Sequence, residues 1–474
     1  MNLSQLHSDA KKELLDNVLP FWVNYGIDEE NGGFICGLGH KGNCVDSTKY
    51  SWYQGRGAWI FAKLYARTND EKHLNIARKA LKFVKQHCIQ KDNKFFYTIV
   101  SRDGEILKDR TQPDVVGYAS LFYAEGLQQV ALHETTDKRK SMLEETYQLC
   151  QRFLSNCNKN RNAPENSYLL SKPYQKGTRT LGHQMIPLHL ATQVLVNHIE
   201  ILTEEQRLYF EQVAKDMVHN ITIKFFDLET KLTREELSYN FEPLNDPVLY
   251  YLGHAIEAYW FVMAEAERID DGDLLELACN RIKRHVECAW DPVFGGLNRG
   301  LTISSKKVKV KEDHNDKLLM DKVAWVEQEG LIALLMIRER TKRKEMKIWA
   351  SEWFEKLHVW VMEHFPLKKH GYDLWLVGGD RRATFQDNYT FGNAGLKSRK
   401  ENYHHPRYLM AVMEEYERSK EGGKGPKEKH ERGSVLVMIL IVLVLSTLYD
   451  LILKTGVTEQ DDGVEASAID SGEL

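Results

Sequence analysis

Residues 251–260 read YLGHAIEAYW. A glycine, a histidine and, three positions on, a glutamate open a run of apolar residues at helical spacing. On a helix His254 and Glu257 would be surface neighbours. The pair alone permits three chemistries: metal ligation, acid/base work, or a hydrogen-bonded core histidine. The place of this stretch among the other helices of the chain decides between them.

Apolar residues recur at three-and-four spacing, the mark of amphipathic helices, in twelve segments. Six of them span 4–24, 71–88, 136–157, 203–219, 271–288 and 344–364; the six that alternate with these span 50–67, 114–133, 182–199, 247–267, 321–340 and 402–418. Short turns such as ARTND and HETTDK lead out of an even segment, whereas long connections lead into one. Several long connections hold strand-like runs about a turn, as in KFFYTIVSRDGEIL with its Asp-Gly. The even segments begin at intervals of roughly 65 to 80 residues. A repeated helix pair cannot bury its apolar face alone, so stacked pairs are expected. Six pairs with alternating links predict an all-α fold, an (α/α)6 barrel with even helices inside and odd helices outside. Its long loops and short β-hairpins would gather at the mouth where the inner helices begin.

At 474 residues, 42% hydrophobic and 28% charged, the chain has the composition of a globular protein. A net charge of −4 and the lack of basic-aromatic stripes give no sign of a nucleic-acid partner. Seven scattered cysteines, with no CxxC, point to a reducing compartment and to neither zinc ribbon nor disulfide framework. The opening MNLSQLHSDAKKELL is amphipathic and charged, so no signal peptide is expected.

The barrel domain is expected to end near residue 420. EGGKGPKEKHERG then begins a basic, polar linker over 421–434. Val435 to Leu453 is apolar apart from Ser446, Thr447 and Asp450, about the minimum length for a transmembrane helix. An acidic tail, 454–474, follows. A basic flank before and an acidic one after predict a single-pass C-terminal anchor with the long N-terminal domain facing the cytosol. Asp450 lies near the far end, where an ionised group reaches the interface at lower cost.

The opening question now has a setting. Helix 2 begins KYSWYQGRGAW with Trp52, Gln54 and Arg56; helix 6 begins GHQMIPLH with His183 and His189. Helix 8 brings His254, Glu257 and Trp260, helix 10 brings Trp325, Glu327 and Glu329, and helix 12 brings His404, His405 and Arg407. A single histidine in a first helical turn is more often structural than functional. Recurrence at one position of the repeat favours function, because those turns would converge on one mouth. A His-Glu pair at i and i+3 suits a di-metal bundle only with a second such pair, and none is well placed, so no metal is expected. Two imidazoles flanking an acidic carbon could instead remove a proton on one face and return it on the other. Aromatic walls and an arginine would suit a sugar, the arginine meeting a developing enolate oxygen.

At these residues the chain resembles the N-acylglucosamine 2-epimerase (renin-binding protein) family, which includes cellobiose 2-epimerases. NGGFICGLGHKG followed by KYSWYQGRGAWIFAKLY resembles the N-acylglucosamine branch in particular. GHAIEAYWF, WVEQEG, GYDLW and NYHHPRYL follow in the family's order, over about residues 15 to 418. The resemblance implies an (α/α)6 barrel that interconverts N-acetylglucosamine and N-acetylmannosamine. Ring opening, removal of the C2 proton, an enediolate and reprotonation on the other face would follow in turn, without a metal or cofactor. It implies His254 and His404 as the acid/base pair, Arg56 on the enediolate oxygen, and Glu257 and Glu329 orienting the imidazoles. Trp52, Trp325 and Trp375 would wall the sugar, with Lys400 also binding it. His189 would aid ring opening, with His183 as its competitor. ATP is implied as an activator at no assigned site. Homodimerisation is left open, as are a cellobiose- or mannose-type substrate and a non-catalytic, membrane-tethered binding protein.

Four positions depart from the family pattern. Leu252 stands for a proline, EPLNDPVLYYL lacks an arginine, Lys400-Glu401 stands for Lys-Gly, and Asp373-Leu374-Trp375 stands for Glu-Trp-Phe.

Overall fold

The computed structural model describes residues 1–92, 94–108, 113–114, 118–159, 177–244, 247–304, 317–385 and 400–421. The chain divides into two compact units, Met1–Gly423 and Lys424–Leu474. The expected transmembrane segment 435–453 and acidic tail 454–474 lie outside the described residues, as does the linker beyond Glu421. Among the described residues no helix is long and apolar enough to cross a membrane.

Among the described residues, twelve principal helices carry the first unit. The first, α1 (Leu3–Glu13), runs on through wider, π-helical turns to Gly26. Then come α2 (Ser51–Thr68), α3 (Glu71–Phe83), α4 (Ala119–Ala131), α5 (Thr136–Lys159) and α6 (Gly182–His198). They are followed by α7 (Glu204–His219), α8 (Leu252–Ile269), α9 (Gly272–Ala289), α10 (Ala324–Arg340), α11 (Lys344–His364) and α12 (His404–Lys420). The helices expected over 114–133 and 402–418 are thus 119–131 and 404–420 in the fold.

Even helices pack on even neighbours from α2 round to α12. The ring closes through Lys63 and Arg67 of α2, which pair with Glu414 and Glu417 of α12. Each even helix also packs on an odd partner: α3 on α2, α5 on α4, α7 on α6, α9 on α8, α11 on α10 and α1 on α12. This is the expected (α/α)6 barrel, and burial explains the two layers. In α3 the buried residues form one stripe, whereas α4 and α10 are buried nearly all round. Close approach of α2 and α4 depends on two glycines. A Cβ on Gly55 would lie 2.4 Å from the Phe122 backbone, and one on Gly126 would lie 2.9 Å from the Gly55 carbonyl.

The short turns are capped as their sequences predict. Asn69 ends α2 in the left-handed region and Asp70 accepts from the Lys72 amide at 3.0 Å. Asp270 and Asp271 repeat the arrangement between α8 and α9.

The long loops lace together around the mouth. The strand before each of four inner helices pairs antiparallel with the next long loop. Lys49–Tyr50 meets 99–100, Arg179–Thr180 meets 236–237, Val248–Tyr250 meets 301–303, and Lys322–Val323 meets 378–379. A second repeat lies beneath this lacing. Tight turns at Asp28, Asp227 and Asp291 have the same backbone hydrogen bonds, and their carboxylates cap nearby amides. The residue two places before an inner helix reaches back to each: Lys49 to Asp28 at 2.9 Å, Tyr250 to Asp227 at 2.6 Å, and Lys322 to Asp291 at 3.4 Å. The starts of α2, α8 and α10 are therefore pinned alike at the rim of the mouth.

Candidate active site

Two imidazoles stand at this rim, each held by a buried carboxylate. His254, in the first turn of α8, has its Nδ1 3.0 Å and 3.1 Å from the two oxygens of Glu235. His404, which opens α12, has its Nδ1 2.8 Å from Glu329 Oε1. Both rings lie against one indole, Trp325, with centroids at 5.5 Å and 5.4 Å. A carboxylate on Nδ1 fixes the tautomer that leaves Nε2 available for proton transfer.

The expectation that Glu257 orients His254 is corrected here. Glu257 turns instead to Arg407, whose Nη2 lies 2.5 Å from Glu257 Oε1 and 2.6 Å from Glu329 Oε1. The reason is geometric. His254 turns toward the loop that carries Glu235, while Glu257 sits deeper, where a buried carboxylate needs a cation. Glu235 was invisible in sequence because LTREELSYN has no helical period and sits 19 positions from its partner. Leu181 donates to the Glu235 carbonyl and Glu235 donates to that of Leu249, so the inter-loop lacing places it. Burial pushes the Glu235 carboxyl up, against the pull of the neighbouring imidazole.

Arg407 also donates to Tyr403 Oη at 3.2 Å, and Tyr403 in turn donates to Glu125 at 3.3 Å. Glu125 holds His189 Nδ1 at 2.7 Å, and the His189 ring stacks on Phe261 at 4.1 Å. His189 therefore joins the same buried network. Its competitor His183 packs instead against Tyr118 and Phe153. Trp260 completes the floor by donating to Glu329 Oε2 at 2.8 Å.

Burial, with Arg407 and Arg56 nearby, holds the His404 imidazole down at about 3. It is neutral at pH 7. Arg56 is bounded by the faces of Phe122, Tyr403 and Trp52, at 4.1, 4.8 and 5.1 Å, and its Nη1 lies 3.7 Å from Glu401 Oε1. Glu401, which stands for a glycine of the family pattern, holds the start of α12 by accepting from His404 N at 2.6 Å. Trp375 packs on His405 at 4.2 Å, and buried Lys400 donates to His40 at 2.8 Å. Burial lowers Lys400 to about 8. Leu252 is the first residue of α8 and fully buried. Proline is equally at home there, because that N–H has no intrahelical partner.

Among the described residues one group has metal-ligand spacing: Glu257, Glu329 and His404, with ligand atoms within 4.8 Å of one another. The Arg407 guanidinium already sits between these carboxylates and meets their charge.

An (α/α)6 barrel with paired imidazoles, guanidiniums and tryptophans at one mouth has the groups to hold a polar small molecule and move a proton on it. The family model for N-acylglucosamine 2-epimerase (GlcNAc 2-epimerase) matches residues 9–115 and 32–396, and the chain belongs to that family. It is an isomerase of the carbohydrate epimerase type. The cellobiose 2-epimerase of Dictyoglomus turgidum is 23% identical over 405 residues, covering 79% of this chain and 96% of that one. The N-acylglucosamine 2-epimerase of Mus musculus is 25% identical over 300 residues, covering 62% and 68%. The solved cellobiose 2-epimerase from Bacillus thermoamylovorans superposes with a TM-score of 0.66 at 18% identity, over 87% of this chain and 99% of that one.

Proposed function

We propose that the protein interconverts N-acetylglucosamine and N-acetylmannosamine by moving the C2 proton from one face of the open-chain sugar to the other. The observation that carries this is the pair of carboxylate-anchored imidazoles against one tryptophan. Ring opening exposes the C1 aldehyde, which acidifies C2. One imidazole Nε2 takes the C2 proton, and the electron pair moves onto O1, beside Arg56. With nitrogen on C2 the intermediate is an enolate rather than an enediolate. The other imidazole, protonated, returns a proton to the opposite face, and electrons flow back from O1 to C2. The neutral state of His404 suits the accepting role in one direction. His189, Trp52, Trp325, Trp375 and Lys400 are assigned to substrate handling.

Deuterium uptake at C2 in heavy water tests this reading. His254→Ala and His404→Ala should each lose about 10³-fold in exchange while keeping the native fold. Near-normal exchange in either variant overturns the mechanism, and exchange only with glucose, mannose or cellobiose assigns another sugar. ATP in the same assay checks nucleotide activation. We likewise propose that 435–453 anchors the catalytic unit to a membrane from the cytosolic side. Truncation after Lys420 should then convert a membrane-bound protein into a soluble one.

A further inference from the structure

A recess is lined by Trp22, Trp325, Trp375, Leu376 and Glu401, and its Trp325 also packs against both imidazoles. It holds ≈ 40 Å³ of water-accessible space, room for about three waters. That suits the few non-hydrogen atoms of a small acyl group. Gln328 and Lys400 are engaged, whereas His405 Nε2, also in the lining, has no hydrogen-bond partner. Gln328 Nε2 meets His405 Nδ1 at 2.9 Å, and Lys400 Nζ meets His40 at 2.8 Å. Glu401 differs. Its Oε2 accepts from the amides of Tyr403 and His404, while its Oε1 is closed off from solvent and has no hydrogen-bond partner. Leaving a buried carboxylate oxygen unsatisfied is costly, so the site is short of one donor.

We infer that Glu401 and this recess read the substituent on C2 of the substrate: Glu401 Oε1 accepts the N–H of a 2-acylamino group, and the acyl end packs among Trp22, Trp375 and Leu376. This rests on the epimerase reading above and assigns the acylamino group of that substrate its place on this chain. Arg56 lies 3.7 Å from the same oxygen. That juxtaposition would serve O1 and the amide nitrogen on the adjacent carbon together. Most of the recess wall is indole and aliphatic, so it rewards a methyl group.

The test measures C2 deuterium uptake by the full-length protein with N-acetyl-, N-propanoyl- and N-butanoyl-D-glucosamine and with D-glucose. Wild type should favour N-acetylglucosamine over glucose, and kcat/KM should fall about tenfold from acetyl to butanoyl as the recess overfills. Glu401→Ala should lower the ratio of kcat/KM for N-acetylglucosamine to that for glucose by about tenfold or more. A merely structural role for Glu401 would depress both substrates equally and leave that ratio unmoved. An unmoved ratio, full acceptance of the butanoyl sugar, or exchange confined to unacylated sugars overturns the inference while the epimerase reading stands. Exchange with no sugar at all removes both.

Discussion

The two histidines at the mouth sit in unlike electrostatic settings. His254 leans on Glu235, a buried carboxylate supplied by a loop. His404 leans on Glu329, a carboxylate shared with Arg407, which also holds Glu257 and lies 3.0 Å from His404 Nδ1. One imidazole thus faces a loop carboxylate, with Tyr251 and Trp325 against its ring, and the other faces a carboxylate already paired with a guanidinium. A reaction that moves a proton between two faces of one carbon needs a donor and an acceptor at once. Unequal surroundings supply that inequality on a pseudo-repeated scaffold.

The strongest way to break the contrast is Arg407→Met. It leaves Glu257 and Glu329 buried without their cation, and should cost about 3–5 kcal/mol of stability. Thermal unfolding in the presence and absence of sugar would read it. Glu235→Gln should behave in the opposite sense. A neutral amide relieves a buried carboxyl of its desolvation cost, so stability should change by about 1 kcal/mol or less. C2 exchange should nevertheless fall on the order of 10²-fold, since the amide no longer fixes the His254 tautomer or balances its positive charge. Equal losses of stability in the two variants would show that the two settings are not different in kind.

A subtler probe moves the indole between the rings. A Cβ on Gly253 would lie 2.8 Å from Val326 and 2.9 Å from Trp325. Gly253→Ala should therefore tilt Trp325, cost about 1–3 kcal/mol, and lower kcat more than it raises KM. The smallest effect concerns a neutral imidazole outside the site. His285 Nε2 accepts from Thr233 N at 2.9 Å, its Nδ1 donates to the Arg281 carbonyl at 2.7 Å, and burial holds it at about 4. Its folded value lies below the ordinary value of about 6.5, so the unfolded chain binds the extra proton first as pH falls. Its contribution is full above about pH 6.5 and is lost toward pH 4. Comparing Tm against pH for wild type and His285→Asn should show a shallower acid-side slope in the variant.

Much of this was legible in the chain. Helical spacing located the twelve helices because an apolar stripe is a local property, and the alternation of short and long links fixed which helices line the barrel. The titratable residues at inner-helix starts were legible as a group, since a closed ring must bring such positions together. Partner choice was not. His254 and Glu257 are neighbours along one helix, yet one turns to a loop carboxylate and the other to Arg407, 150 positions away.

HAIE thus determined by itself that a histidine and a glutamate would share the first turns of an inner helix. Only the tertiary structure decided that Glu235, from a laced loop, would hold that histidine. The same distinction covers Glu401, whose place in LKSRKENYHH says nothing of a closed-off oxygen beside a largely apolar recess. Periodicity is written in neighbouring residues, but satisfying a buried charge depends on whichever group the folded backbone brings within hydrogen-bond reach.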